Sequence, residues 1–145
     1  MLRKMTISDY DAVYALWLSC TGMGLNDLDD SREGITKYLA RNPETCFVWE
    51  QNGSIFGVIM TGHDGRRGYI SHTAVHPDHR KEGIGTALVE AALTALKNEG
   101  IHKVALVAFS RNEGGNAFWE KMGFTLRTDL SYRNRTLTEM VRIDT

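Results

Sequence analysis

The chain has 145 residues, 42% hydrophobic and 24% charged, enough for one domain with its own hydrophobic core. A formal net charge of -1 argues against a general nucleic-acid or membrane-surface binder. No stretch reaches transmembrane length, MLRKMTISDYD lacks the apolar run of a signal peptide, and Cys20 and Cys46 sit outside any CxxC arrangement. The expectation is a cytoplasmic protein with buried thiols and neither a nucleic-acid nor a membrane partner.

In chain order, Leu2–Met5 reads as a short first strand. Ser8 is a candidate N-cap with Asp11 three residues on, ahead of Val13, Leu16, Trp17 and Cys20 at helical spacing. Residues 21–30 form a loop rich in Gly and Asp. A second helix starts at Asp30 or Ser31, buries Ile35, Tyr38 and Leu39, and stops before Asn42-Pro43. Thr45–Glu50 and Ser54–Thr61 are strands joined by the Gln51-Asn52-Gly53 turn. Residues 62–68 are a polar turn, and Tyr69–Val75 is the next strand. The long helix after Gly83 buries Ile84, Leu88, Ala91, Ala92 and Leu96 and ends at Gly100. Lys103–Phe109 is nearly all apolar, which predicts a central strand covered on both faces. A short helix follows around Gly115–Met122, and Phe124–Leu130 and Leu137–Ile143 predict two final strands around the polar turn Ser131–Arg135. The order is β-α-α-β-β-β-α-β-α-β-β, an α/β (α+β) fold whose mixed sheet carries helices on both faces.

Val75–Leu88, VHPDHRKEGIGTAL, is the most informative stretch. An apolar strand runs into His76-Pro77, and Arg80-Lys81-Glu82-Gly83-Ile84-Gly85 then opens a long amphipathic helix. The first N–H groups of a helix have no partner within it and point outward as anion donors. Glycine lets a ligand approach the backbone, and basic residues on the same turn add charge-assisted bonds to phosphate. A P-loop needs Gly-Lys-Ser/Thr, but here Gly85 is followed by Thr86, and no dinucleotide fingerprint fits. The plainer reading is a helix start whose glycines only permit a tight turn.

Arg80, two residues, Gly83, one residue, Gly85 resembles the pyrophosphate loop of the GNAT superfamily of N-acetyltransferases. The predicted element order also matches that family, so the resemblance covers nearly all of residues 1–145. It implies one N-acetyltransferase domain that takes acetyl-CoA as donor and an amine as acceptor, with no metal. In that family Val75 would end a strand whose backbone pairs with the pantetheine arm. The N–H groups from Lys81 through Glu82, Gly83, Ile84 and Gly85 to Thr86 would cradle the pyrophosphate. Arg80 would orient the loop or touch phosphate, with His76 beside it. The resemblance also admits a homodimer, since many members pair through sheet edges or C-terminal strands.

Asn112–Phe124, NEGGNAFWEKMGF, carries a second resemblance: an Asn, then Ala117 and Phe118, then Gly123-Phe124. By analogy Asn112 would hydrogen-bond the pantetheine or fix its own loop, and Phe118 would pack near the cofactor. A plain helix C-terminus capped by Gly123 is compatible with both. Trp119 is the departure, because many relatives place there a Tyr proposed to protonate the departing CoA thiolate. Indole N–H is no usable acid. At pH 7 a thiol of ordinary pKa is about 2 kcal/mol from its preferred state, whereas an alkyl ammonium is about 4.6 kcal/mol from being nucleophilic. Deprotonating the amine is the harder step, and water can serve the thiolate.

His72 lies on the strand that GNAT enzymes use to line the reaction centre and is a candidate base, direct or through water. Strand alternation puts Tyr69, Ser71 and Thr73 on one face and His72 on the other, unless a bulge intervenes. A half-buried structural histidine is the equal alternative. Tyr132, in the SYRNR turn, is a candidate acid or substrate contact, against a plain surface tyrosine. His79 reads as a loop residue, and His63 and His102 as solvated turn residues. The acidic run Asn26–Asp30 could attract a cationic amine, although capping is the stronger reading for Asp30. Arg127, Arg133 and Arg135 could instead recognise a carboxylate, and Trp17, Met23 and Leu25 could supply apolar walls. No His/Cys/carboxylate spacing suggests a metal site. A non-catalytic acyl-CoA-binding or sensor domain is the rival, motivated by Trp119.

Overall fold

β1 (Leu2–Lys4), β2 (Phe47–Gln51), β3 (Ser54–His63), β4 (Gly68–Val75) and β5 (Val104–Leu106) form one sheet in that spatial order in the computed structural model, which describes residues 1–144. Neighbours from β1 to β4 are antiparallel and β4 pairs with β5 in parallel. The helices are α1 (Tyr10–Ser19), α2 (Arg32–Arg41), α3 (Ile84–Asn98) and α4 (Glu113–Lys121). The expected class, a mixed sheet with helices on both faces, is the one observed.

Two hydrophobic cores lie on opposite faces of the sheet. Val13, Leu16 and Trp17 of α1 and Ile35 and Leu39 of α2 pack on Val48, Val58, Met60 and Ala74. On the other face Ile84, Leu88, Val89 and Ala92 of α3 pack on Ile59 and Ile70. α3 comes so close that a Cβ on Gly57 of β3 would stand 2.7 Å from Ile84 Cγ2 and 2.9 Å from Leu88 Cδ1. The β2–β3 hairpin turns on Asn52 and Gly53, both at positive φ (53° and 80°), as a two-residue connection requires.

The helix starts sort the candidate caps. Ser31 caps α2, its Oγ accepting the Gly34 N–H at 3.0 Å. Ser8 caps nothing, because a 3-10 turn over Ile7–Asp9 precedes α1. There the Thr6 N–H donates to Asp9 Oδ2 at 2.9 Å, and Arg3 grips the same carboxylate with two bonds of 2.7 and 2.9 Å. Burial works against the Asp9 charge, but Arg3 and the Thr6 backbone outweigh it and hold its pKa below the ordinary carboxylate value.

The C-terminal third departs from the sequence reading. β5 is an edge strand of three residues, and Val107 beyond it is 55% exposed. Neither Phe124–Leu130 nor Leu137–Ile143 forms a strand; both segments are irregular, with bends at 128–129 and 137–138, apart from one bridge between Asn26 and Arg142. Apolar alternation gives a segment strand character, but a ladder also needs a paired neighbour, and among the described residues no strand pairs with the outer edge of β5. Among the described residues no helix is long and apolar enough to cross a membrane.

Gly57→Ala forces a methyl group into the α3 contact and is expected to lower stability by about 1–3 kcal/mol, read as a fall in the urea midpoint. Because the Asp9 pKa is depressed on folding, its contribution is present above the unfolded carboxylate range. It is lost as pH falls through the still lower folded value. Asp9→Asn is therefore expected to flatten the loss of thermal stability on acidification below about pH 4, measured by melting temperature against pH.

Candidate active site

β4 carries an irregularity that decides what faces the α1–α2 side. Val58 pairs with Ala74 and Met60 with Ser71, so His72 and Thr73 together oppose the single residue Ile59. This is a β-bulge, and His72 takes a positive φ of 49° within it. The extra residue inverts the alternation: Ile70 belongs to the α3 core but Ala74 to the α1–α2 core. His72 itself turns to the α1–α2 side, where Trp17 meets its ring edge-to-face at 5.1 Å and Trp17 Nε1 donates to its carbonyl at 3.1 Å. Its Nε2 lies 2.6 Å from Asp30 Oδ1, a carboxylate only 2% exposed. Asp30 is thus a buried partner of His72 rather than a helix cap.

At the other end of β4 the strands diverge, since β5 pairs only with Gly68–Ile70 and β4 continues alone to Val75. The His76 N–H donates to Phe56 O on β3 at 2.8 Å, so the alternating antiparallel ladder aims the main-chain groups of Val75 away from β3. The Val75 carbonyl indeed accepts Arg80 Nε at 3.2 Å and the Cys20 thiol at 3.6 Å. Arg80 therefore lies across the end of the strand and secures the turn. His76 is a turn cap, its Nδ1 accepting the Asp78 N–H at 3.1 Å, while His79 stacks on Phe56 with ring centres 3.7 Å apart.

The turn then opens α3 with Lys81 and Gly83 in the left-handed region, at φ 64° and 85°. The first amide hydrogen bonded inside the helix is that of Ala87, to Gly83 O at 3.0 Å. The N–H groups of Ile84, Gly85 and Thr86 have no partner among the described residues. A Cβ on Gly83 would meet nothing within 4 Å, so the concavity is open. A Cβ on Gly85 would stand 3.3 Å from Phe118 and 3.6 Å from Val75, which brings three of the expected cofactor residues together.

Asn112 caps α4, its Oδ1 accepting the Gly115 N–H at 2.9 Å, and so fixes its own loop. Asn116 adds bonds to Phe109 O and Asn112 O at 3.0 and 2.8 Å. Trp119 is a packing residue, edge-to-face with Phe118 at 5.1 Å and Phe124 at 5.3 Å. Tyr132 is 67% exposed, and its hydroxyl is approached by Asn134 Nδ2 at 3.5 Å. It neighbours Tyr69, whose phenol is raised by burial and by Tyr132. The structure places no contact between Tyr132 and His72 among the described residues. His63 is not a free turn residue but pairs with Glu99 at 2.9 Å.

The loop before α2 is held by the chain's end. Asp27 exchanges bonds with Val141 at 2.6 and 3.0 Å, Ile143 donates to Leu25 O at 2.9 Å, and Asp144 accepts the Leu25 N–H at 2.6 Å. The pairing of Asp30 with His72 and this latch were not visible in the sequence, because the partners lie 42 to 119 residues apart. Asn112→Ala is expected to cost about 1 kcal/mol of stability through loss of the α4 cap, measured by chemical unfolding.

Residues 10–124 match the model of the Acetyltransferase (GNAT) family. An acetyltransferase of Pectobacterium atrosepticum is 34% identical over 123 residues, covering 85% of this chain and 86% of its own. Among solved structures, Ard1 from Thermoplasma volcanium superposes with a TM-score of 0.78 at 23% identity, covering 88% of this chain and 83% of that one. PaiA N-acetyltransferase from Thermoplasma acidophilum, solved in complex with coenzyme A, gives a TM-score of 0.77 at 18% identity, covering 88% and 90%. With the fold and the matched span in agreement, the chain belongs to the GNAT acetyltransferase family.

Proposed function

We propose that residues 1–145 form one N-acetyltransferase domain that moves the acetyl group of acetyl-CoA to a primary amine by direct attack. One observation carries this reading: a single strand–turn–helix holds His72, the Val75 N–H turned away from β3 and the uncapped start of α3 in series. His72 and Val75 are about 10 Å apart by strand rise, a span suited to a thioester arm between a base and an anion cradle. The residues present fit the donor. The N–H groups of Ile84, Gly85 and Thr86, with Gly83 left-handed before them, suit a pyrophosphate, and Lys81 adds charge. Thr73 Oγ1 is buried with no partner among the described residues, a further polar atom on the same strand.

Acetyl-CoA supplies the activated acyl group. The Val75 N–H, aimed into the gap between β4 and β5, donates to the acyl oxygen and stabilises the charge that develops there. The amine nitrogen bonds to the acyl carbon, the C–S bond breaks, and the amine proton passes to His72. The thiolate takes its proton from water or from the Tyr132 phenol. Positioning by the turn supplies much of the rate, since a bound thioester and amine react as one molecule. Trp119, packed between Phe118 and Phe124, takes no part in proton transfer.

The packed Trp119 also motivates a second reading, an acyl-CoA-binding domain without turnover. Thiol release from acetyl-CoA across a panel of amines, amino acids and peptide N-termini decides between them. The enzyme reading expects release with at least one class, and His72→Ala lowering kcat about 10²-fold or more without weakening acetyl-CoA binding by calorimetry. Micromolar binding with no release on any class establishes the sensor instead.

A further inference from the structure

Asp30 is held on every side. Its Oδ1 lies 2.6 Å from His72 Nε2, its Oδ2 accepts the Asn26 N–H at 2.8 Å, and its carbonyl accepts the Tyr10 hydroxyl at 2.7 Å. Trp17 fixes the histidine from the other direction, through its ring at 5.1 Å and its N–H to the His72 carbonyl. His72 holds a positive φ, a conformation that costs a non-glycine residue energy and persists only where neighbours enforce it. Carboxylate and imidazole are therefore fixed relative to each other by three separate elements: α1, the loop before α2 and the bulged β4.

We infer that Asp30 is a positioning residue for acetyl transfer, holding the His72 proton on Nε2 so that Nδ1 is the atom that takes the proton of the acceptor amine. The inference rests on the reading of His72 as base. An ionised carboxylate only accepts hydrogen bonds, so the ring nitrogen facing it carries the hydrogen. Neutral imidazole has one N–H, which leaves the lone pair on Nδ1. Nδ1 has no partner among the described residues, and the His72 side chain is 20% exposed, so it is open to an incoming amine. The proton moves from the amine nitrogen to Nδ1 and later to water. Asp30 stays a carboxylate throughout and stabilises the imidazolium in a site that excludes most solvent.

Asp30→Asn tests this with little change of shape. The Asn26 N–H is an obligatory donor, so the new amide keeps its oxygen there and turns its NH2 toward His72 Nε2. A donor at that place demands a lone pair on Nε2 and moves the proton to Nδ1, which blocks the base. Imidazole nitrogen NMR on ¹⁵N-labelled protein, with His72→Gln assigning the signal, is expected to show neutral His72 as the Nε2–H tautomer in the wild type and as Nδ1–H in Asp30→Asn. With an acceptor found in the amine panel, Asp30→Asn is expected to lower kcat about 10²-fold or more while KM for acetyl-CoA stays within about twofold. Asp30→Ala imposes no donor and is expected to retain more kcat than Asp30→Asn, an order that a purely structural role does not produce. An Nδ1–H tautomer in the wild type overturns the inference and needs no variant to fold. So does an unchanged tautomer in Asp30→Asn, or full turnover in Asp30→Asn when His72→Ala is inactive. Full turnover in His72→Ala overturns instead the reading of His72 as base, and the Asp30 role with it.

Discussion

One extra residue in β4 sets up most of the site. The bulge at His72–Thr73 changes which face each later side chain meets, so that Ala74 joins the α1–α2 core although Ile70 belongs to the α3 core. Without it, His72 would point toward α3 and its ring would never reach Trp17 or Asp30. The same inversion brings Val75 against the α3 core, where Gly85 and Phe118 meet it. A single insertion thus places the His72 side chain on one face and Val75, next to the turn that opens α3, on the other.

The bulge depends in turn on groups that bind it from outside the sheet. Trp17 holds the His72 carbonyl, Asp30 holds its ring, and Arg80 and Cys20 hold the Val75 carbonyl where β5 no longer pairs. The carbonyls of His72 and Val75 are thus met by side chains instead of by a neighbouring strand. The C-terminal latch on residues 23–27 is part of the same arrangement, because the loop it secures delivers Asp30. Electrostatics follow from this placement. The carboxylate of Asp30 lies 2.6 Å from His72 Nε2, while around it Asp27 Oδ1 accepts the Val141 N–H and Asp29 Oδ2 accepts the Asn26 side-chain amide.

Segments governed by local rules were legible. The Asn52-Gly53 hairpin, an α2 start at Asp30 or Ser31 and the long α3 after Gly83 all appear where residue type and spacing put them. The turn from Arg80 to Gly85 was legible for the same reason, since a strand–turn–helix is built from consecutive residues. Legibility failed where pairing or distance decided. Leu126, Leu130 and Leu137 gave the last segments a strand pattern, yet they are exposed and unladdered. Lys103–Phe109 read as a central strand because its apolar run does not say how many neighbours it has. Ser8 reads as a cap, but the helical turn starts at Thr6, where Arg3 of β1 grips Asp9, a contact that no local spacing shows.

The sequence by itself determined the order of elements through α4, the mixed class of the sheet, the glycine turn that opens α3 and the family those residues resemble. Each rests on periodicity or on neighbours within a few positions, and those are written directly in the chain. Only the tertiary structure decided that His72 faces α1, that Asp30 is its partner and that Asn112 serves its own helix. A bulge is a mismatch between two strands, and a 2.6 Å contact between residues 30 and 72 joins segments that are separate until the sheet and the α1–α2 layer close on each other.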